Sequence, residues 1–306
     1  MNLTVLYRGP LSSCNYACDY CPFAKRRDTA AQLTRDRGAL SQFVGWLGRQ
    51  TQHRWQVLFT PWGEALVRRW YQEALVELSQ AAHVDRVAVQ TNLSGSLDWL
   101  SRVDASKVGL WSTFHPSEVT LDDFLGQVTC VLDRGISLSV GLVGNPAHLE
   151  LIEEVRRRLP SDVYLWVNAL QGRRRRYTRE ETARLLTVDP LFLINLRPQR
   201  TLGISCLTGE TAFTVDGEGT MRRCHFVDTS LGSIHDDQWE QALQVRPCPN
   251  SRCNCHLGHM HLPHLDLRSV FGGGWLERAM EPARPDTGRS VPQTTEIWQL
   301  NSPPER

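Results

Sequence analysis

The run SSCNYACDYCPF, residues 12–23, carries Cys14, Cys18 and Cys21 in the spacing C-x-x-x-C-x-x-C. Three thiolates within eight residues can all face one point. Three is one short of the four cysteines that close an iron–sulfur cubane, and a metal position left open by the protein is what separates a catalytic metal site from a structural one. Tyr20 stands directly before the third cysteine, and Pro22 directly after it fixes the exit of the loop. Other chemistries also use closely spaced cysteines. Ferredoxin loops run C-x-x-C-x-x-C, one residue shorter, and zinc pairs come as C-x₂₋₄-C without a third member.

Working outward from this loop, candidate strands lie at 3–8, 55–60, 85–91, 108–114, 136–143 and 163–169. Helical candidates lie near 37–50, 69–82, 97–102, 121–134, 148–158 and 179–188. Short β-branched or apolar runs alternating with helical stretches predict parallel strands joined by crossover helices, an α/β fold. In the fourth helical candidate Leu121, Phe124, Leu125, Val128 and Leu132 recur on one face, and Gly135 follows where a C-terminal stop belongs. Six β/α units are fewer than the eight of a full barrel, and in either case the chemistry belongs at the C-terminal ends of the strands. The cysteine loop follows the first strand.

At 306 residues the chain suits one large domain with a small appendage. A net charge of +1 gives no push toward nucleic acid or an anionic membrane. No basic n-region with a long apolar stretch opens the chain, and no window approaches 18 uninterrupted apolar residues, so neither a signal peptide nor a spanning helix is expected. The nine cysteines are odd in number and clustered, which favours a reducing cytoplasm over a disulfide framework. Helix periodicity fades after about residue 200. Residues 1–200 read as the barrel, 201–265 as a small Cys-rich α+β module supported by metal, and 266–306 as a C-terminal extension. The proline- and polar-rich stretch 281–306 is expected to be mobile.

The loop from Cys14 to Cys21 resembles the signature loop of the radical S-adenosylmethionine (radical SAM) superfamily, with Tyr20 at its aromatic position. The resemblance implies a partial (β/α)6 TIM barrel, a [4Fe–4S] cluster on Cys14, Cys18 and Cys21, and SAM chelated at the open iron. It implies reductive cleavage of SAM to a 5′-deoxyadenosyl radical, which abstracts hydrogen from a substrate. FTPWGEAL, residues 59–66, stands where the family carries a Gly-Gly-Glu segment for the SAM amino group; Gly63 and Glu64 match, and Trp62 replaces the first glycine. An ammonium wants a carboxylate or carbonyl acceptor, and glycine lets the backbone come close. QTNLSG, residues 90–95, resembles the family's Thr-Asn-Gly stretch, so Asn92 either contacts SAM or, like Ser94, caps the next helix. In STFHP, residues 112–116, Ser112 or Thr113 takes the place of a polar SAM contact, and His115 faces substrate or is structural. GLVGNPAHLE, residues 141–150, resembles the Gly-x-Ile-x-Gly pattern and sets Val143 against adenine, or else in the barrel core. The basic run 173–176 reads as a solvated face.

Cys206 and Cys224 bracket CLTGETAFTVDGEGTMRRC, with Gly219 five residues before the second cysteine. This is similar to the opening of SPASM and twitch modules, C-x₉₋₁₅-G-x₄-C, which hold auxiliary [4Fe–4S] clusters. A hairpin turning at Asp216-Gly217 would set the two cysteines on neighbouring strands. A helical candidate at 237–245 follows, and then CPNSRCNCHLGHMH supplies Cys248, Cys253 and Cys255 beside His256, His259 and His261. A full SPASM series C-x-x-C-x₅-C-x-x-x-C is missing, so one auxiliary cluster is expected, with one cysteine to spare. Structural zinc is the alternative. Cys130 reads as a buried free thiol. The implied partners are a reductant such as flavodoxin or ferredoxin and a peptide, protein or small-molecule substrate, with no membrane and no nucleic acid. The barrel begins at residue 3, which leaves no N-terminal leader-recognition domain and counts against a peptide unless a separate protein presents it. A non-catalytic iron–sulfur or zinc protein is the other class.

Overall fold

The computed structural model describes residues 1–23, 26–170, 177–196 and 198–280. The basic run at 173–176 and the tail at 281–306 lie outside the described residues. Six parallel strands run side by side in chain order: β1 (Asn2–Arg8), β2 (Arg54–Phe59), β3 (Val84–Thr91), β4 (Val108–Thr113), β5 (Ser137–Gly144) and β6 (Leu165–Ala169). Helices α1 (Ala30–Arg49), α2 (Arg69–Gln80), α3 (Leu121–Leu132), α4 (Leu149–Arg158) and α5 (Arg179–Val188) connect or follow them. The fold is the α/β partial barrel that the alternation predicts. The crossover at 97–102 differs, forming only a 3₁₀ turn at Asp98–Arg102. Helix α1 starts earlier than its apolar periodicity suggests, because Thr29 and Gln32 form a reciprocal capping box. Thr120 caps α3, and Gly135 ends that segment at φ +67°. On α3 the buried face is Phe124, Val128 and Val131, while Leu121, Leu125 and Leu132 are half-buried.

Alternation along the strands sorts the two layers. Leu3, Val5 and Tyr7 of β1, with Val57 and Phe59 of β2 and Val87 and Val89 of β3, pack in the helix layer. Leu6, Leu58, Ala88 and Trp166 point the other way, into the barrel. The sheet does not stop at β1. Past α6 (Phe192–Leu196) and β7 (Gln199–Arg200), strand β8 (Ala212–Asp216) pairs parallel with β1 and turns back through β9 (Thr220–Arg222) to β10 (Ser230–Ser233). The hairpin expected at Asp216-Gly217 is present, and it extends the barrel sheet. Strand β11 (Arg252–Cys253) pairs with β7 and leads into α7 (His256–His259) and α8 (Leu267–Phe271).

The segment after α8 packs into the N-terminal end of the barrel, although composition marked it only as an extension. Trp275, Leu276, Glu277, Arg278 and Ala279 are all buried. The Glu277 carboxylate pairs with Arg86 and accepts from Ser137 Oγ at 2.7 Å. It sits where a side chain on Gly109 would otherwise be. One layer higher, the Arg278 guanidinium lies 4.1 Å from the Trp111 ring centroid and 3.3 Å from that of Trp166. No helix among the described residues is long and apolar enough to cross a membrane. Glu277→Ala leaves the Arg86 cation without its acid in a dry site and should cost about 3–5 kcal/mol in denaturant unfolding. Glu277→Gln, which keeps an acceptor oxygen, should cost less.

Candidate active site

The loops after β1, β2 and β3 meet at the C-terminal end of the sheet. Gly63 donates its N–H to Leu11 O and Glu64 donates to Ser13 O, both at 3.2 Å. A Cβ on Gly63 would collide with the Ser13 carbonyl, so this close approach requires glycine. Asp28 holds the same loop from the other side. Its carboxylate accepts from Ser12 N at 2.9 Å, Ser13 N at 2.8 Å and both serine hydroxyls. Burial pushes the Asp28 carboxyl up, and the four hydrogen bonds outweigh it and leave the group below its ordinary value.

Glu64 is buried at the centre of the three loops. It accepts from Leu66 N at 2.9 Å, Thr91 Oγ1 at 2.7 Å and Asn92 N at 2.6 Å. Burial raises its carboxyl despite these donors, so a cation arriving beside it would favour the ionised form. Asn92 caps no helix; it closes a local turn and reaches the cysteine loop. Its side-chain oxygen accepts from Ser94 N at 3.1 Å, while its Nδ2 lies 3.6 Å from Cys14 Sγ and 3.1 Å from Asn15 Oδ1. The β3 loop is thereby tied to the first cysteine.

His115 clamps the other end of the cysteine loop. Its Nδ1 lies 3.3 Å from Cys18 Sγ and 2.8 Å from Tyr20 OH, with the His115 and Tyr20 rings stacked 5.9 Å apart. Burial lowers the imidazole to about 4, so it is neutral at pH 7. The structure therefore places His115 against the loop rather than toward a substrate. Tyr20 and Val143 share a cavity of about 420 Å³, open at its mouth, with Phe114, Leu142 and Ile152. Ser112 is not part of this assembly. It is fully buried, its Oγ donates to Ser139 O at 2.8 Å, and it lies on the helix side of β4 with Leu110. Thr113, which follows Trp111 by two residues, takes the inward position.

The donor set fits a soft cationic group. Burial pushes Cys14 up to about 11, and thiolates at Cys18 and Cys21 would raise it further. Burial likewise raises Cys18. A metal removes both penalties by supplying positive charge to the thiolates.

A second set of thiols stands in a cavity of about 580 Å³, counted to its open mouth, whose wall includes Leu6 of β1. Cys206, Cys224, Cys248, Cys253 and Cys255 all line it. The cysteines flank the hairpin strands rather than sitting on them, and the 237–245 candidate is a 3₁₀ turn at Trp239–Ala242. A side chain on Gly258 would fill the space beside two of the thiols, at 3.0 Å from Cys253 Sγ and 3.9 Å from Cys255 Sγ. Burial pushes Cys224 up to about 11 and Cys253 to about 12, and thiolates at Cys206 and Cys255 would raise both further. Among the described residues no three Cys, His, Asp or Glu side chains converge as the ligands of a single ion would. The five thiols line the wall of one cavity. Cys130 is half-buried, not buried, with Arg134 Nη1 at 2.8 Å from its sulfur.

Sequence reasoning missed Asp28, Thr91 and Arg8. Thr91 lay inside the QTN segment already marked, whereas Asp28 and Arg8 carried no local signal. This architecture, a partial barrel with a thiol loop after its first strand, is shared with solved structures of radical SAM enzymes. It is similar to anSMEcpe, an anaerobic sulfatase maturase of that superfamily. The anSMEcpe structure with bound AdoMet and Kp18Cys peptide has a TM-score of 0.55 and 12% identity, covering 98% of this chain and 96% of that one. The one with AdoMet and Cp18Cys peptide has a TM-score of 0.53 and 12% identity, covering 98% and 94%. SuiB of Streptococcus suis has a TM-score of 0.50 and 13% identity, covering 78% of this chain and 65% of its own. No protein-family model and no curated protein matches the sequence.

Gly63→Ala should destabilise the chain by about 1–3 kcal/mol through overpacking against Ser13 and lower the iron taken up on reconstitution. Gly38→Ala, in α1 with open space around it, should leave both unchanged or raise stability slightly.

Proposed function

We propose that this chain is a radical SAM enzyme, of oxidoreductase or maturase type, with one auxiliary iron–sulfur cluster. Cys14, Cys18 and Cys21 would hold the catalytic [4Fe–4S] cluster. Glu64 and the Gly63 backbone would receive the SAM amino group, Asn92 would stand beside them, and Val143 with Tyr20 would line the adenine cavity, with Thr113 in place of Ser112 as the polar contact from β4. Bound there, the cluster and SAM supply a 5′-deoxyadenosyl radical for hydrogen abstraction. The protein's own part is to hold Cys14 through Asn92, to hold Cys18 and Tyr20 through a neutral His115, and to keep the Glu64 carboxylate in place for a cation. The observation that carries this reading is the buried Glu64 at the meeting point of the β1, β2 and β3 loops.

The test is anaerobic reconstitution followed by dithionite and SAM. 5′-Deoxyadenosine should form in the wild type and fall to background when Cys14, Cys18 and Cys21 are all alanine. Formation no greater than in that control would leave a non-catalytic metal protein as the reading. Glu64→Gln removes the charge and should weaken SAM binding roughly 10–100-fold, the worth of a hydrogen bond to a charged group.

Four of Cys206, Cys224, Cys248, Cys253 and Cys255, which line the same cavity, would hold the auxiliary cluster. The triple-alanine chain should still carry about four irons with matching sulfide, whereas zinc without sulfide would make the site structural. A flavodoxin or ferredoxin would serve as reductant. A peptide or protein substrate takes its support from the fold shared with anSMEcpe, which has been seen with bound peptides; a small metabolite or sugar is the second reading. All nine cysteines are free thiols, which suits a reducing cytoplasm.

A further inference from the structure

The inner face of the barrel mouth carries a cation that no carboxylate among the described residues answers; an ionisable group that faces it is the Cys255 thiol. Arg8 ends β1 two residues beyond Leu6 and therefore shares its inward side. Its Nε donates to Thr60 O at 2.8 Å, and its guanidinium lies 4.1 Å from the centroid of the Trp62 ring. The nearest acid in register, Asp216 on β8, is engaged by Arg222 at 2.7 Å. Arg86, by contrast, pairs with Glu277, and Arg184 with Glu153. The two terminal nitrogens of Arg8 make no hydrogen bond to any described residue.

Its position is as informative as its charge. Trp62 precedes Gly63, whose backbone presses on the first cysteine loop. Trp62 is 42% exposed, and its ring lies 4.7 Å from that of Phe23, which follows the loop. On the other side, Thr60 Oγ1 is 3.4 Å from His225 Nε2, and His225 lines the second cysteine cavity. Arg8 thus stands between the two thiol sets, beside an exposed aromatic shelf. Burial lowers its pKa to about 10, so it remains a cation at neutral pH.

We propose that Arg8 binds an oxyanion of the substrate, a carboxylate or a phosphate gripped by its terminal nitrogens, with Trp62 covering the apolar group next to it. The planar fork of a guanidinium matches both anions bidentately. This rests on reading the barrel mouth as the substrate chamber of a radical SAM enzyme.

The test is ligand-observed NMR titration of the anaerobically reconstituted full chain with phenylacetate, phenyl phosphate and neutral benzyl alcohol. An anion should bind roughly tenfold or more tightly than the alcohol, in line with a charge-assisted hydrogen bond. A preference for phenylacetate assigns a carboxylate substrate, and a preference for phenyl phosphate a phosphorylated one. Arg8→Gln should abolish the preference and Arg8→Lys should keep part of it. Trp62→Leu, a change at an exposed position, should weaken all three probes while preserving their order. Equal binding of anion and alcohol to the wild type would overturn the proposal. So would an anion preference that survives in Arg8→Gln, above all if that variant shifts the reduction potential of the second centre, which would make Arg8 the counter-ion of that centre. Binding is read without SAM turnover, so absence of 5′-deoxyadenosine would sink the enzyme reading alone and leave the anion result intact.

Discussion

A buried carboxylate organises the mouth of this barrel. Glu64 has no ion-pair partner among the described residues, and it is kept in place by Leu66 N–H, Thr91 hydroxyl and Asn92 N–H. Burying a carboxyl against its own desolvation is costly unless donors surround it. Here those donors come from the ends of two strands, so the cost is offset only when the β2 and β3 loops are in register. The adjacent Gly63 then brings the β1 loop to within contact of its backbone. Asn92 extends the same network to Cys14. The position of the cysteine loop is therefore a consequence of how one acid is satisfied.

The opposite end of the barrel is closed by the chain itself. Glu277 answers Arg86, and Arg278 fills the next layer between two tryptophans. The lower layers of the inner face are thus packed, and the candidate chemistry lies at the C-terminal ends of the strands. Those ends carry Arg8, Thr60, Thr113 and the cysteine loop. Continuation of the sheet through β8 brings the second thiol set to the flank of β1, so that Leu6 belongs both to the barrel interior and to the wall of the second cavity. One strand thus serves both sites.

The strands and most helices could be read from the sequence because period-two and period-3.6 apolar patterns are local properties. The cysteine loop was equally legible as a motif, since its spacing is local, although among the described residues its three thiols do not converge as the ligands of one ion would. The choice between Ser112 and Thr113 was not, because adjacent strand residues face opposite sides and polarity alone does not say which side is inward. Nor was the place of His115 against the cysteine loop, because its partners Cys18 and Tyr20 are nearly a hundred residues away in sequence. Asp28 and Glu277 left no periodic trace, because their partners, Ser12 and Ser13 for the one and Arg86 and Ser137 for the other, stand on other elements of the fold.

The sequence by itself determined the alternating α/β architecture, the thiol loop after the first strand and the clustering of the later cysteines, all of which follow from residue type and short-range spacing. Only the tertiary structure decided that Glu64 joins three loops, that residues 275–279 plug the barrel, that the five later cysteines share one cavity, and that Arg8 meets no carboxylate among the described residues. Each of these depends on what stands across the barrel from a side chain, and that is set by the closure of the sheet rather than by its neighbours along the chain.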